Sequence, residues 1–184
     1  MKTKTKMHNQ KKTLIMIAAL LLAAMILPSC SASDVEVPDG MKLISSDEEA
    51  FYLFVPMSWV TNSSMGMASA YYSDKDRSNI SMTCMAPTDA VASLDGYVEY
   101  CKAELEAYMP GFEVVGETED AVLGGRNGRS FVYRASINNI DYKYRQVVVT
   151  YQSMFYIFTY TSTLEGYELH ADEVETMISK VLFK

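Results

Sequence analysis

The sequence predicts an α+β fold, a three-layer α/β/α sandwich with a central antiparallel sheet. Three observations carry this. Between residues 112 and 161, strand-like runs succeed one another with only short turn signals between them, as in a meander of hairpins. Two of those runs, "QVVVTY" and "FYIFTY", are apolar at nearly every position, so both faces of the sheet must be covered. Two stretches with a helical stripe, one before the meander and one after it, supply the covering layers.

The chain begins with "MKTKTKMHNQKK", which holds five lysines and no acid, followed by "TLIMIAALLLAAMIL" without a charge. A permanent span needs about 20 apolar residues to cross ~30 Å of hydrocarbon, so a run over 13–27 has the length of a signal-peptide core. It leaves through Leu27, Pro28 and Ser29 into Cys30, which resembles the bacterial lipobox. That resemblance implies a diacylglycerol thioether on Cys30 and cleavage on its amino side. A plain signal peptide cut nearby and an uncleaved anchor helix are the alternatives, and all three export the folded domain. The expected division is a signal peptide over 1–29, a lipidated Cys30 with a short tether over 30–39, and a folded domain over 40–184. Two acyl chains hold a protein stably on a bilayer where one does not, so the expected location is the extracytoplasmic face of the cell membrane.

Without residues 1–29, eleven Lys and Arg remain against twenty-three Asp and Glu, a net charge of −12. Such a chain is a poor partner for nucleic acid, whose binding rests on cations against phosphates. Thirteen tyrosines, seven phenylalanines and one tryptophan are ample for the core of one domain.

"VPDG" at 37–40 reads as a turn that opens a short strand, "MKLIS". "AFYLFVP" alternates and stops at Pro56, and "ASAYYS" and "NISMTCMA" flank the polar turn "DKDRS". In the last of these strands, Ile80, Met82, Cys84 and Ala86 share an inward face. After Pro87 the period changes. Leu94, Val98, Cys101, Leu105 and Tyr108 form a helical stripe, with Ser93 as its cap and Pro110-Gly111 as its stop. Four strands come next, "FEVVGET", "RSFVYRAS", "IDYKYRQVVVTY" and "MFYIFTYTS", linked by "GGRNG", by Asn138-Asn139 and by Gln152-Ser153. A second helical stripe, Tyr167, Ala171, Val174, Ile178 and Val181, closes the chain. Ser162 and Glu165 match a capping box for it, and Asp172, Glu173 and Glu175 read as its solvated face.

"FYLFVPMSW", "SNISMTCM", "LDGYVEY", "RSFVYR" and the closing "YIFTYTSTLEGYELHADEVETMISKVLF" resemble the PsbP/Mog1-type fold, as found in PsbP-like lipoproteins of Gram-positive bacteria. The resemblance spans most of 40–184 through its apolar and aromatic positions. It implies a three-layer domain without an established catalytic centre that acts as an accessory or interaction module. None of the ion-retaining residues of the photosynthetic relatives has a match in this chain, so no cofactor and no metal is expected.

Few residues point to chemistry. "GGRNGRS" lacks the lysine-hydroxyl end of a phosphate-binding loop, and Asn127-Gly128 reads better as a hairpin turn. Beyond the leader His170 is the only histidine, so neither a metal centre nor a nucleophile with its base is signalled; His170 reads as a rim residue. Cys84 and Cys101 are either a disulfide, which an exported domain permits, or two small buried thiols. Register gives a sharper expectation. Two-residue turns at Asn138-Asn139 and Gln152-Ser153 would set Arg134 opposite Lys143, Tyr133 opposite Tyr144 and Arg145 opposite Tyr160. One face then gathers Arg134, Lys143, Arg145 and Tyr160. Opposed like charges call for a compensating anion. It is either acids from a covering helix or loop, with Arg145 over the Tyr160 ring, or an anionic partner such as a carboxylate or phosphate.

The function expected from the sequence is thus a membrane-anchored lipoprotein whose domain binds a protein or envelope component and catalyses nothing. A small-ligand binding lipoprotein serving a transporter is the second expectation and a hydrolase the third.

Overall fold

The computed structural model describes residues 35–62, 67–88 and 91–184. The expected signal peptide and Cys30 lie outside the described residues. The elements are β1 (Met41–Leu43), β2 (Phe51–Tyr52), β3 (Phe54–Pro56), β4 (Val60–Asn62), β5 (Ala68–Tyr71), β6 (Asn79–Met85), α1 (Leu94–Tyr108), β7 (Glu113–Leu123), β8 (Arg126–Ile137), β9 (Ile140–Tyr151) and β10 (Met154–Thr163). A 3-10 turn (Tyr167–His170), α2 (Ala171–Lys180) and β11 (Leu182–Phe183) complete the chain. Seven strands form one antiparallel sheet in the order β4-β5-β6-β10-β9-β8-β7, and two small pairings, β1 with β3 and β2 with β11, stand beside it.

The fold is α+β with helical cover on both faces of the sheet, as the apolar central strands require. Valines 147, 148 and 149 of β9 are each 0% exposed, so neither face of that strand meets solvent. On one face the first half of α1 packs with Val91, Leu94, Tyr97 and Cys101 against Val148, Phe155 and Ile157. Its second half sets Val98, Cys101 and Leu105 against Phe131, Tyr133, Ala135 and Tyr144. Ser93 caps α1 by accepting from the Gly96 N–H at 3.1 Å, as its sequence position suggests. The opposite face is covered by α2, whose Val174, Met177 and Ile178 are buried, and by the two ends of the domain, where Phe51 and Phe183 both pack on Tyr156. Glu36–Lys184 form one compact unit.

Three expectations need correction. The β7–β8 turn is Gly124-Gly125, both with positive φ, while Asn127-Gly128 lies within β8. The capping box does not form. Ser162 is a buried residue of β10 bonded to Ser78, and α2 starts at Ala171 without a side-chain cap. Two very short strands, β4 and β11, also join the architecture unannounced, since runs of three or two residues carry no readable period.

The sheet edge formed by β7 is acidic and irregular. Glu113, Glu117, Glu119 and Asp120 lie along it, and its register with β8 shifts between Val115 and Glu119, where Gly116 takes a φ of 77°. Charge and bulge together blunt an exposed ladder.

Candidate functional site

Asn138 and Asn139 have φ of 52° and 64°, and Gln152 and Ser153 have φ of 47° and 60°. Two successive positive φ values make the tight hairpin turns that match strand twist. They fix the register: Arg134 pairs with Lys143, Tyr133 with Tyr144, and Arg145 with Tyr160. Arg134, Lys143, Arg145 and Tyr160 therefore share a face, which is the face under α2.

That face supplies its own anions. Lys143 Nζ lies 3.0 Å from Glu168 Oε1, and Arg145 Nη1 pairs with Glu175 of α2. Arg145 also donates through Nε to Ser130 Oγ at 3.1 Å. The stacking differs from the expectation, because Lys143, not Arg145, stands over an aromatic ring, that of Tyr167 at 3.9 Å. Tyr160 donates its hydroxyl to the Tyr167 carbonyl at 2.8 Å and is 1% exposed, and burial pushes its phenol up to about 12. Three of the four residues thus bind the last turn and helix to the sheet. Arg134 alone is exposed, opposite Glu113 at the β7 edge.

His170 is buried, 5% exposed, and not a rim residue. Its Nε2 lies 2.9 Å from Asp76 Oδ2 and its Nδ1 lies 3.3 Å from Glu173 Oε2. Trp59 donates its indole N–H to the same Glu173 oxygen at 3.2 Å, so Glu173 is engaged inward instead of solvated. Tyr72 packs on the imidazole at 4.1 Å between centroids, and Trp59 meets it edge-on at 5.8 Å. Asp76 also accepts from the Ser78 hydroxyl at 2.6 Å and the Ser78 N–H at 2.9 Å. Sequence reasoning missed this network because Asp76 stands 94 positions from His170, and no local spacing signals it. The two carboxylates flank opposite nitrogens of one ring. Among the described residues no three His, Cys, Asp or Glu side chains are grouped to hold a metal ion.

Cys84 and Cys101 are free thiols. Cys84 lies opposite Tyr156 on the α2 face, whereas Cys101 sits on α1 over Phe155 and Ile157 on the other face. The sheet stands between them and excludes the disulfide. Burial raises the pKa of both thiols.

Two open grooves are lined by described residues. One, of about 330 Å3, is lined by Glu48, Glu49, Phe51, Met67, Met82 and Cys84 among others. The other, of about 280 Å3, is lined by Asn62, Ser69, Ala70, Tyr71, Arg77 and Asn79.

No family model and no curated protein matches the chain. Solved structures do. A protein of unknown function from Pseudomonas aeruginosa superposes with a TM-score of 0.54 at 20% identity, over 78% of this chain and 97% of that one. The cyanobacterial PsbP, CyanoP, of Synechocystis has a TM-score of 0.54 at 15% identity, over 86% of this chain and 99% of that one. The Ran-binding protein Mog1p of Saccharomyces cerevisiae has a TM-score of 0.53 at 10% identity, over 78% of this chain and 95% of that one. The chain has a PsbP/Mog1-type fold.

Proposed function

Starting from a PsbP/Mog1-type fold, we propose that this protein is an extracytoplasmic lipoprotein, anchored through Cys30, whose domain is a non-catalytic binding or accessory module for a protein or envelope component. The observation that carries the non-catalytic part is the engagement of His170. Both ring nitrogens face carboxylates, so neither is left to take a proton from a nucleophile. The cations Lys143 and Arg145 are likewise held by acids of the same chain. A binding role agrees with the description of yeast Mog1p as a Ran-binding protein. The anchor is supported by the sequence alone: a charged start, an apolar run of signal length and Cys30 at its exit, six residues before the compact unit begins at Glu36. No helix among the described residues is long and apolar enough to cross a membrane.

The test is acyl labelling of cells producing the full chain or its Cys30→Ser variant. The wild type should take up a fatty-acid label and sediment with membranes, and the variant should do neither. A wild-type product that floats free in the medium with an unmodified thiol would overturn the anchor. Cross-linking of the anchored protein on intact cells, read by mass spectrometry, then reports its partner. The groove lined by Phe51, Met67 and Met82, with Glu48 and Glu49 at hand, supports the second reading, a small-ligand module, because its volume reaches the lower range of ligand sites.

A further inference from the structure

Register across the seven-stranded sheet lines up one residue of every strand, from Val60 on β4 through Tyr71, Asn79 and Thr161 to Tyr144, Tyr133 and Val114 on β7. Whatever extends past that row on one side belongs to a single end of the domain. It comprises the turn before β4, the loop between β5 and β6, the chain after Thr163, the β8–β9 turn and the link from α1 to β7. The folded chain also enters there. Gly40 accepts the Met57 N–H at 3.0 Å, so the turn at 38–40 stands beside Met57, just ahead of β4.

Exposed apolar side chains collect at this end. Ile137 and Ile140 flank the Asn138-Asn139 turn as a cross-strand pair, and both are exposed. Leu164, also exposed, follows Thr163, whose partner Tyr142 is two residues from Ile140, so its backbone continues beside that pair. Leu169 is 74% exposed, in a turn held at the same end by the contact of His170 with Asp76. Met57 is 62% exposed. Tyr108, 79% exposed, ends α1, and Pro110 just beyond it accepts the Ser136 N–H at 2.8 Å. Single exposed apolar residues are ordinary, but several gathered at one end among polar loops mark an interaction surface.

Chain length selects the occupant. Six residue steps lead from Cys30 to Glu36, a reach of about 20 Å when fully extended. Strands β8 and β9 hold 12 residues each, about 40 Å along the strand. A domain tied to lipid at Cys30 therefore cannot turn over to set its opposite end on the bilayer, and the end that gathers these side chains is the one kept against it. Charge does not draw it there, because Lys42, Lys75 and Arg77 stand among Asp39, Asp74 and Asp141, which is no polybasic patch. Apolar side chains leave water for the acyl boundary at a gain. We propose that this end rests on the bilayer, with Met57, Ile137, Ile140, Leu164 and Leu169 in its interfacial layer, and that the contact fixes the orientation of a domain the anchor alone would leave to swing. The inference rests on the Cys30 anchor of the reading above and adds the surface that faces lipid. The groove beside Phe51 and Cys84 lies toward the other end, where Cys84 pairs with Tyr156 near the β9–β10 turn, and is then turned outward.

The test is photolabelling of the protein as cells produce it, purified in detergent and returned to vesicles of phosphatidylcholine and phosphatidylglycerol in equal parts. A tracer lipid carries a diazirine on its acyl tail, and mass spectrometry locates the inserted carbene. Label should concentrate at Met57, at 137–140 and at 164–169. It should be sparse at Val122 and Leu182, which are about as exposed as the two isoleucines but lie at the opposite end, by the β7–β8 turn and β11. Ile140→Gln combined with Leu169→Gln should lower the label in those segments about tenfold. Both side chains are exposed, so the variant keeps its fold, which its thermal midpoint checks. Label spread evenly over both ends overturns the proposal, as does label that the double substitution leaves unchanged. An anchored wild type labelled only next to Cys30 also overturns it, and leaves this end to a protein partner while the lipoprotein reading stands. A wild type that carries no fatty acid and stays off membranes brings down the anchor and this inference together.

Discussion

Asp76 is the centre of a network that starts at Ser78 and ends at Trp59. Burial by itself would push its carboxyl up. Hydrogen bonds from the Ser78 hydroxyl, from His170 and from the Ser78 N–H, with the charge of His170, bring it below the ordinary value instead. A carboxyl depressed in the folded state contributes stability that is complete above its unfolded value, near pH 4, and is lost as pH falls through the folded one. Asp76→Asn should therefore cost about 1–3 kcal/mol at pH 7, and its deficit against the wild type should shrink below about pH 4. Urea midpoints of both proteins between pH 7 and pH 3 measure this; a gap constant over that range would place the stabilisation elsewhere. Very little of this network could be read from the sequence. His170 looks like a rim residue in the sequence because its own helix shows only acids around it, and a buried histidine is defined by what a distant loop brings to it. By contrast, the four residues Arg134, Lys143, Arg145 and Tyr160 were legible as a group. Two hairpin turns set their positions relative to one another, and that is local information. What filled the need for anions was not local, and came from Glu168 and Glu175 in the layer that covers that face.

Elements differ in how far their sequences commit them. The β8–β9–β10 register could be counted outward from two turns, and α1 from its stripe, cap and stop. The β7–β8 turn could not, since "GGRNG" offers two places to reverse, and tertiary contact decides between them. Gly124 has a φ of 54°, donates its N–H to the Ile178 carbonyl at 2.9 Å, and leaves no room for a Cβ beside the Val181 carbonyl. Gly125 has a φ of 77° and open space around its Cα. Both positions favour glycine by backbone conformation, but only Gly124 is held against the end of α2. Gly124→Ala should cost about 1–3 kcal/mol and Gly125→Ala about 1 kcal/mol, measured by denaturant unfolding. Equal losses would show that the turn alone, and not its docking on α2, requires glycine.

Across the whole molecule, the layering was legible and the strand order was not. Valine and aromatic runs with no polar face announce a doubly covered sheet wherever they occur. Which strands flank β10 depends on pairings between residues more than sixty positions apart, such as Tyr160 with Ile80. The layering has a chemical consequence for the cysteines. With a seven-stranded sheet between them, Cys84 and Cys101 should titrate as two thiols after unfolding without reductant, and react slowly before it, because burial disfavours both thiolates. Appearance of these two thiols only after reduction would contradict the arrangement. The β7 margin has a consequence of another kind. Were two copies to meet side by side there, carboxylate would confront carboxylate, and the offset at Gly116 would throw their amides out of step. Both charge and register thus oppose strand addition from that flank, which guards the long β7 edge against becoming a template for growth.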